Sequence, residues 1–269
     1  MEQGRWVEVA DRVLVRRYAE LDLSVGLVLG DGGCLIVDTR GDERQGAELA
    51  AQVRRITRDP WTVAITHSHF DHSFGTRAFL ACPVWAHEGC RADLAENGER
   101  ARREWVLHYR AEGRPDIAAD IAGTGIVLPD HLVSDRADLT VGGRPVVLTH
   151  LGRGHSGNDL VVHVPDAGVV FAGDLVENGA PPAYEDAYPL EWPAAVAGLL
   201  DLAGTTVVPG HGDPVDRAFV AAQHAEIAAV ARLCAEVAAG RLTPGEAVRR
   251  SPYPEETTRI ALGRPAGRR

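Results

Sequence analysis

His67-Ser68-His69-Phe70-Asp71-His72 crowds four potential metal ligands into six consecutive positions, directly behind the apolar run Trp61-Thr62-Val63-Ala64-Ile65-Thr66. Three imidazoles and a carboxylate packed this closely repel and desolvate one another unless a cation holds them together. A fold that contains this segment therefore has to deliver it to a metal. In an extended chain residues two apart share a face, so His67 and His69 can take one ion while Ser68 points elsewhere. If the chain turns into a helix near Ser73, Asp71 and His72 lie at the bend and reach a second ion beside the first. Zinc suits such donors: it takes about four ligands in tetrahedral array and, in a catalytic site, keeps one position for water. Manganese and iron accept the same mixture of imidazole and carboxylate. The hexapeptide alone is short of two such shells, so further ligands must come from downstream.

Three later islands have the required character. Gly152-Arg153-Gly154-His155-Ser156-Gly157-Asn158-Asp159 sets a histidine among glycines, where the backbone can approach a buried site closely. Val169-Val170-Phe171-Ala172-Gly173-Asp174 is a short apolar run that presents a carboxylate at the end of a strand. Val207-Val208-Pro209-Gly210-His211-Gly212 repeats that device with a histidine. Together with His67, His69, Asp71 and His72, the candidate ligands are then His155, Asp174 and His211.

From Val25 to Gly212 the order and approximate spacing of these motifs resemble the metallo-β-lactamase fold superfamily. The resemblance is specific for fold and not for substrate. It implies that His67, His69 and His155 hold one metal, that Asp71, His72 and His211 hold the other, and that Asp174 bridges the two. Secreted zinc β-lactamases usually carry Cys or Ser where this chain has Asp174, whereas hydroxyacylglutathione hydrolases (glyoxalase II), lactonases and their relatives keep the bridging acid. Flavodiiron oxygen reductases carry a glutamate in the place of His69. The implied fold class is α/β, a four-layer αββα sandwich; periodicity alone supports only a layered α/β arrangement with the site at strand ends.

The 269 residues are expected to form one domain, 1–269, because no low-complexity or Ser/Pro-rich stretch divides them. Formal net charge is -10 and every basic residue is an arginine. A negative surface disfavours non-specific binding to nucleic acid or anionic membrane, so the expected partner is a small-molecule substrate, with a homodimer open. The amino terminus has acids where a signal peptide needs a basic and then an apolar stretch, and no run reads as long and apolar enough to span a bilayer. A cytoplasmic location follows as an expectation. Cys34, Cys82, Cys90 and Cys234 show no CxxC spacing and read as reduced, buried thiols.

Strands are expected at Val7 to Val9, Val13 to Arg17, Ser24 to Leu29, Leu35 to Asp38 and Pro83 to Ala86, and again at Leu139 to Val141, Val146 to Thr149, Leu160 to Val164, Val169 to Ala172 and Thr205 to Val208. Helical spacing covers Asp42 to Ile56 and, after the ligand loop, about Phe74 to Leu80. Residues 88–121 form a helical insertion, containing Trp105, His108 and Tyr109, that is either a lid over the metals or a packed addition. Residues 215–262 form C-terminal helices. Tyr184, Tyr188 and Trp192 either line a pocket or anchor a Pro-rich loop. Asp38 either orients a metal-bound imidazole or caps the next helix. Ser156 and Asn158 either donate near the metals or shape the glycine loop. His87, His163 and His224 read as structural, and His150 is open.

Two zinc ions sharing a water would lower its pKa towards neutrality, and the resulting hydroxide would attack an ester, thioester or lactone carbonyl. In that scheme Asp174 bridges and Asp71 helps to deliver the leaving group's proton. β-Lactam hydrolysis is the alternative within the class. From other classes come a mononuclear iron oxidoreductase resembling the persulfide dioxygenases and a metal-stabilised scaffold. The complete second set, Asp71, His72 and His211, argues against the first, which needs only one iron, and retention of every expected ligand argues against the second.

Overall fold

The computed structural model describes residues 4–202 and 204–264. Two sheets carry the architecture. The first contains β1 (Trp6–Ala10), β2 (Val13–Arg17), β3 (Ser24–Leu29), β4 (Cys34–Val37), β5 (Trp61–Ala64), β6 (Val84–His87) and β7 (His131–Val133), side by side in chain order. Pairing is antiparallel from β1 to β4 and parallel from β4 to β7. The second contains β8 (Arg136–Val141), β9 (Arg144–Thr149), β10 (Val161–Val164), β11 (Val169–Glu177) and β12 (Thr206–His211), antiparallel except for the parallel pair β11 and β12.

Side-chain alternation turns these sheets into layers. Leu35 and Val37 of β4 join Val162 and Val164 of β10 and Val169 and Phe171 of β11 in a core between the sheets. Ile36, one residue out of phase, faces a separate core with Leu49 and Val53 of α1 (Glu43–Arg54). Val161, Val170 and Ala172 face a third core with Trp192, Val196 and Leu199 of α5 (Trp192–Leu202) and Val220 and Ile227 of α6 (Arg217–Ala238). Three cores separated by two sheets make the four-layer αββα sandwich. Gly26 shows how tightly the middle core closes, since a Cβ there would run into the ring of Phe171.

Helix α1 starts where Asp42 accepts from the Gln45 amide at 2.7 Å. The insertion is a helical hairpin, α3 (Glu88–Ala111) and α4 (Pro115–Gly123), and the C-terminal helices are α6, α7 (Pro244–Arg250) and α8 (Glu255–Gly263).

Several features depart from the sequence reading. The helix expected from Phe74 begins at Phe70 as the short α2 (Phe70–Ser73) and continues as a 3₁₀ turn over Phe74–Phe79, so Asp71 and His72 lie inside a helical turn. β11 continues past Ala172 to Glu177 and carries Asp174 within the strand. β7 and α5 were not foreseen, and β8 starts at Arg136 rather than Leu139. Finally, α6 is by length and composition apolar enough to cross a membrane, contrary to the expectation that no segment is; in this fold its Val220, Ile227 and Val230 pack into the third core.

Candidate metal centre

The carboxyl ends of β4, β5, β11 and β12 meet at one edge of the sandwich. Parallel pairing aligns those ends within each sheet, which is why ligands gather there in α/β folds. Beyond β5 the chain bends at Thr66, His67 and Ser68 rather than staying extended as expected, and an extended His69 leads into α2, which presents Asp71 and His72. An isolated bridge between Leu23 and His211 ties the end of β12 to the first sheet.

All seven predicted ligands converge. His67, His69, His155 and Asp174 form one set and Asp71, His72 and His211 another, each with donor atoms within 4.8 Å of one another. In the first set His67 Nε2 lies 3.6 Å and His155 Nε2 3.4 Å from Asp174 Oδ2. His155 Nε2 and His69 Nδ1 face each other at 3.0 Å. In the second, Asp71 Oδ2 is 3.5 Å from His72 Nε2 and 3.4 Å from His211 Nε2, and the two imidazole nitrogens are 3.4 Å apart. Asp174 reaches this set too, with Oδ1 3.2 Å from His72 and Oδ2 3.3 Å from His211.

Bonds of about 2.0–2.1 Å in a tetrahedron place donor atoms ~3.3 Å apart. The observed separations cluster around that figure, as they would around shared cations. His67 Nε2 is buried without a hydrogen-bond partner among the described residues, an orphan that a metal would satisfy. The donor set therefore fits a pair of divalent ions.

Electrostatics follow from burial and crowding. Burial, and then the neighbouring His72, push the His67 imidazole well below its usual range, and burial brings His155 down to about 4. Burial opposes ionisation of Asp174, yet the imidazoles of His211, His72, His67 and His155 hold it well below the usual carboxylate range. Burial also opposes charge on His211 and His69, but Asp174 lifts the former to about 10 and Asp186 the latter to about 9. Metal binding must displace such protons.

Second contacts orient the free nitrogens of three of the imidazoles, His72, His211 and His69. Asp38 Oδ2 lies 2.8 Å from His72 Nδ1 and accepts from the Thr66 hydroxyl, while Oδ1 accepts from the Thr66 amide. Its orienting role is therefore the one realised, and Asp42 caps α1 instead. The Leu21 carbonyl lies 2.7 Å from His211 Nδ1, and Asp186 Oδ2 2.9 Å from His69 Nε2. Neither was foreseen. Asp186 sits in the Pro-rich loop with no spacing signal, and the Leu21 contact is made by backbone. Glu177, also unforeseen, is buried at the end of β11, 3.9 Å from His155 Nδ1, and burial pushes it up to about 8.

Asn158 accepts from the Ser68 amide at 2.9 Å, and Ser156 donates to Asp159 at 2.6 Å, so both shape the ligand loops. His87 caps α3 and stacks on His150 at 4.0 Å, and His150 Nδ1 lies 2.7 Å from the Asp159 carbonyl. His163 is half-buried on β10 and His224 lies in α6. Of the proposed pocket aromatics, Tyr184 and Trp192 are fully buried in the third core and Tyr188 stacks under Arg153 at 4.4 Å, so all three anchor the loop rather than line the cavity.

A cavity of about 660 Å³ opens onto the centre. One wall is α3, which contributes Leu94, Ala101 and Trp105, and the facing wall is the loop from Glu177 to Asp186. Trp105 stacks on Phe70 at 4.1 Å, fixing the insertion beside the ligand turn. Residues 88–121 are thus a cavity wall.

Residues 20–211 match the model of the Metallo-beta-lactamase superfamily, and the chain belongs to that superfamily. It is 26% identical over 204 residues to the metallo-beta-lactamase type 2 of Bacillus cereus, covering 73% of this chain and 70% of that protein. It is 25% identical over 163 residues to the acyl-coenzyme A thioesterase MBLAC2 of Gallus gallus, covering 58% of each. In fold it is similar to the sec-alkylsulfatase Pisa1 of Pseudomonas sp., with a TM-score of 0.76 over 96% of this chain at 15% identity, although it spans only 49% of that protein. Family and centre together define a metallo-hydrolase of this superfamily with candidate His/Asp metal-binding groups.

Proposed function

We propose that the chain is a hydrolase that uses two zinc ions to cleave an ester, thioester or lactone. The observation that carries this reading is the convergence of two complete ligand sets on the shared carboxylate of Asp174. When bound to these residues, the cations would supply a Lewis acid for the carbonyl oxygen and lower the pKa of a bound water. The chain's own part is positional. Asp38, Asp186 and the Leu21 carbonyl fix three of the imidazole rings. Asp71, which lines the cavity, helps to pass a proton to the leaving oxygen or sulfur. The α3 wall and the facing loop keep bulk water from the reacting carbonyl. β-Lactam hydrolysis is the second reading, favoured by the likeness to the Bacillus cereus enzyme.

The test is elemental analysis of loaded protein, followed by a panel of lactones, thioesters, β-lactams and phosphodiesters with metal-stripped protein as control. Two zinc per chain and metal-dependent turnover of a carbonyl substrate are expected. One iron per chain with sulfite formation from a persulfide would replace this reading with oxidation.

A further inference from the structure

Eight carboxyl side chains line the cavity against one guanidinium, Arg100. That guanidinium is already paired, its Nη1 lying 3.1 Å from Glu104 Oε1. Two divalent ions would not reverse the balance, and the chain as a whole, these residues included, carries a formal -10. The acids are distributed over every wall. Asp93 comes from α3, where Ser68 and Asn97 donate to it; Asp22, paired with Arg17, comes from the turn before β3; exposed Glu185 and Asp186 come from the opposite loop. A negative group on a substrate would meet this field on approach and, among the described lining residues, find only the paired guanidinium of Arg100 beside the metals. Between the acids runs an apolar strip, Phe70, Leu94, Ala101 and Trp105, faced by Gly179, Ala180 and Ala183.

β-Lactam antibiotics, acyl-coenzyme A and alkyl sulfates, the substrates in the names of the three relatives, are all anions. The lining suits none of them. We propose that the substrate is an ester or lactone that carries no anionic group and lays its apolar acyl part along the strip from Phe70 to Trp105. The proposal rests on the hydrolase reading and narrows it. One water is consumed: its oxygen bonds to the acyl carbon, the acyl carbon–oxygen bond breaks, one proton goes to the leaving alkoxide and the other is released as the acid ionises. A neutral substrate thus becomes a carboxylate inside a negative cavity, and the same field favours its departure.

The experiment compares 4-nitrophenyl butyrate with mono-4-nitrophenyl glutarate on zinc-loaded protein, the two differing mainly by a terminal carboxylate. The expected kcat/KM favours the neutral ester by about tenfold or more, and the ratio shrinks as salt screens the wall. In Glu104→Gln/Glu185→Gln the ratio narrows further, because Arg100 loses its partner and the mouth loses two charges. Equal or faster hydrolysis of the anionic ester overturns the proposal and leaves the hydrolase reading standing. If neither ester is cleaved, calorimetric binding of the matched amides decides: weaker binding of the carboxylate-bearing amide supports the charge selection, and equal or tighter binding overturns it.

Discussion

Asp174 holds the centre together because both of its oxygens are shared among the imidazoles of His67, His72, His155 and His211. Gly210 makes room for it, since a Cβ at that position would collide with Asp174 Oδ1. Gly210→Ala is accordingly expected to abolish binding of the second metal while far-ultraviolet circular dichroism stays unchanged; a full complement of metal in a folded variant would contradict this. Asp38 acts one bond further out. Asp38→Asn keeps the volume and weakens the grip on His72 Nδ1, so chelator competition should show about 10–100-fold lower affinity for one ion of the pair. The ligands themselves were legible because each follows a short apolar run or sits among glycines. Asp38 was legible for the same reason. Asp186, Glu177 and the Leu21 carbonyl were not, because their roles arise from loops and strand ends brought together by tertiary packing, which leaves no local pattern.

Besides its aromatic anchors, the loop that carries Asp186 is held by one side chain at the end of α8. Arg264 donates from Nε to the Ala187 carbonyl, from Nη1 to that of Glu185 and from Nη2 to that of Asp186, all at 2.8–2.9 Å. His69 thus depends on a residue nearly two hundred positions away. Arg264→Ala should free the loop and weaken the metal held by His67, His69 and His155 while sparing the Asp71 set; cobalt-substituted protein should show one of two absorption signatures lost. Arg264→Lys, which cannot serve three carbonyls from one fork, should restore little. Equal loss at both sites would contradict this linkage. Elements with alternating or helical spacing, such as β4, β10 and α1, were readable. Helix α5 was not: Pro193 in its first turn follows a Pro-rich loop, and its apolar residues leave little polar face to mark a period. α2 begins earlier than expected because His69, with φ -60 and ψ 150, is its N-cap as well as a candidate ligand.

Across the molecule, the two sheets and three cores set a rigid frame whose edge is an unusually charged centre. Alternation along the strands carried most of that frame in the sequence, but only the resemblance pointed to two stacked sheets, since periodicity does not say which strands share one. The frame makes the metal-free chain sensitive to alkali. Glu177 at about 8, His69 at about 9 and His211 at about 10 all have folded values above their unfolded ones. The two imidazolium contributions are whole below about 6.5 and vanish as pH passes the raised values, while the penalty for ionising Glu177 grows up to about 8. All three act in one direction, so the Tm of stripped protein should fall from pH 7 to pH 10; a flat or rising profile would contradict the assigned charges. The central claim is that seven side chains share two cations across Asp174. Anomalous diffraction at the zinc edge from crystals of loaded protein tests it directly. Two peaks are predicted, each about 2.0–2.2 Å from its ligands, one against His67, His69 and His155, the other against Asp71, His72 and His211, with Asp174 touching both. A single peak, or peaks away from these side chains, would contradict it.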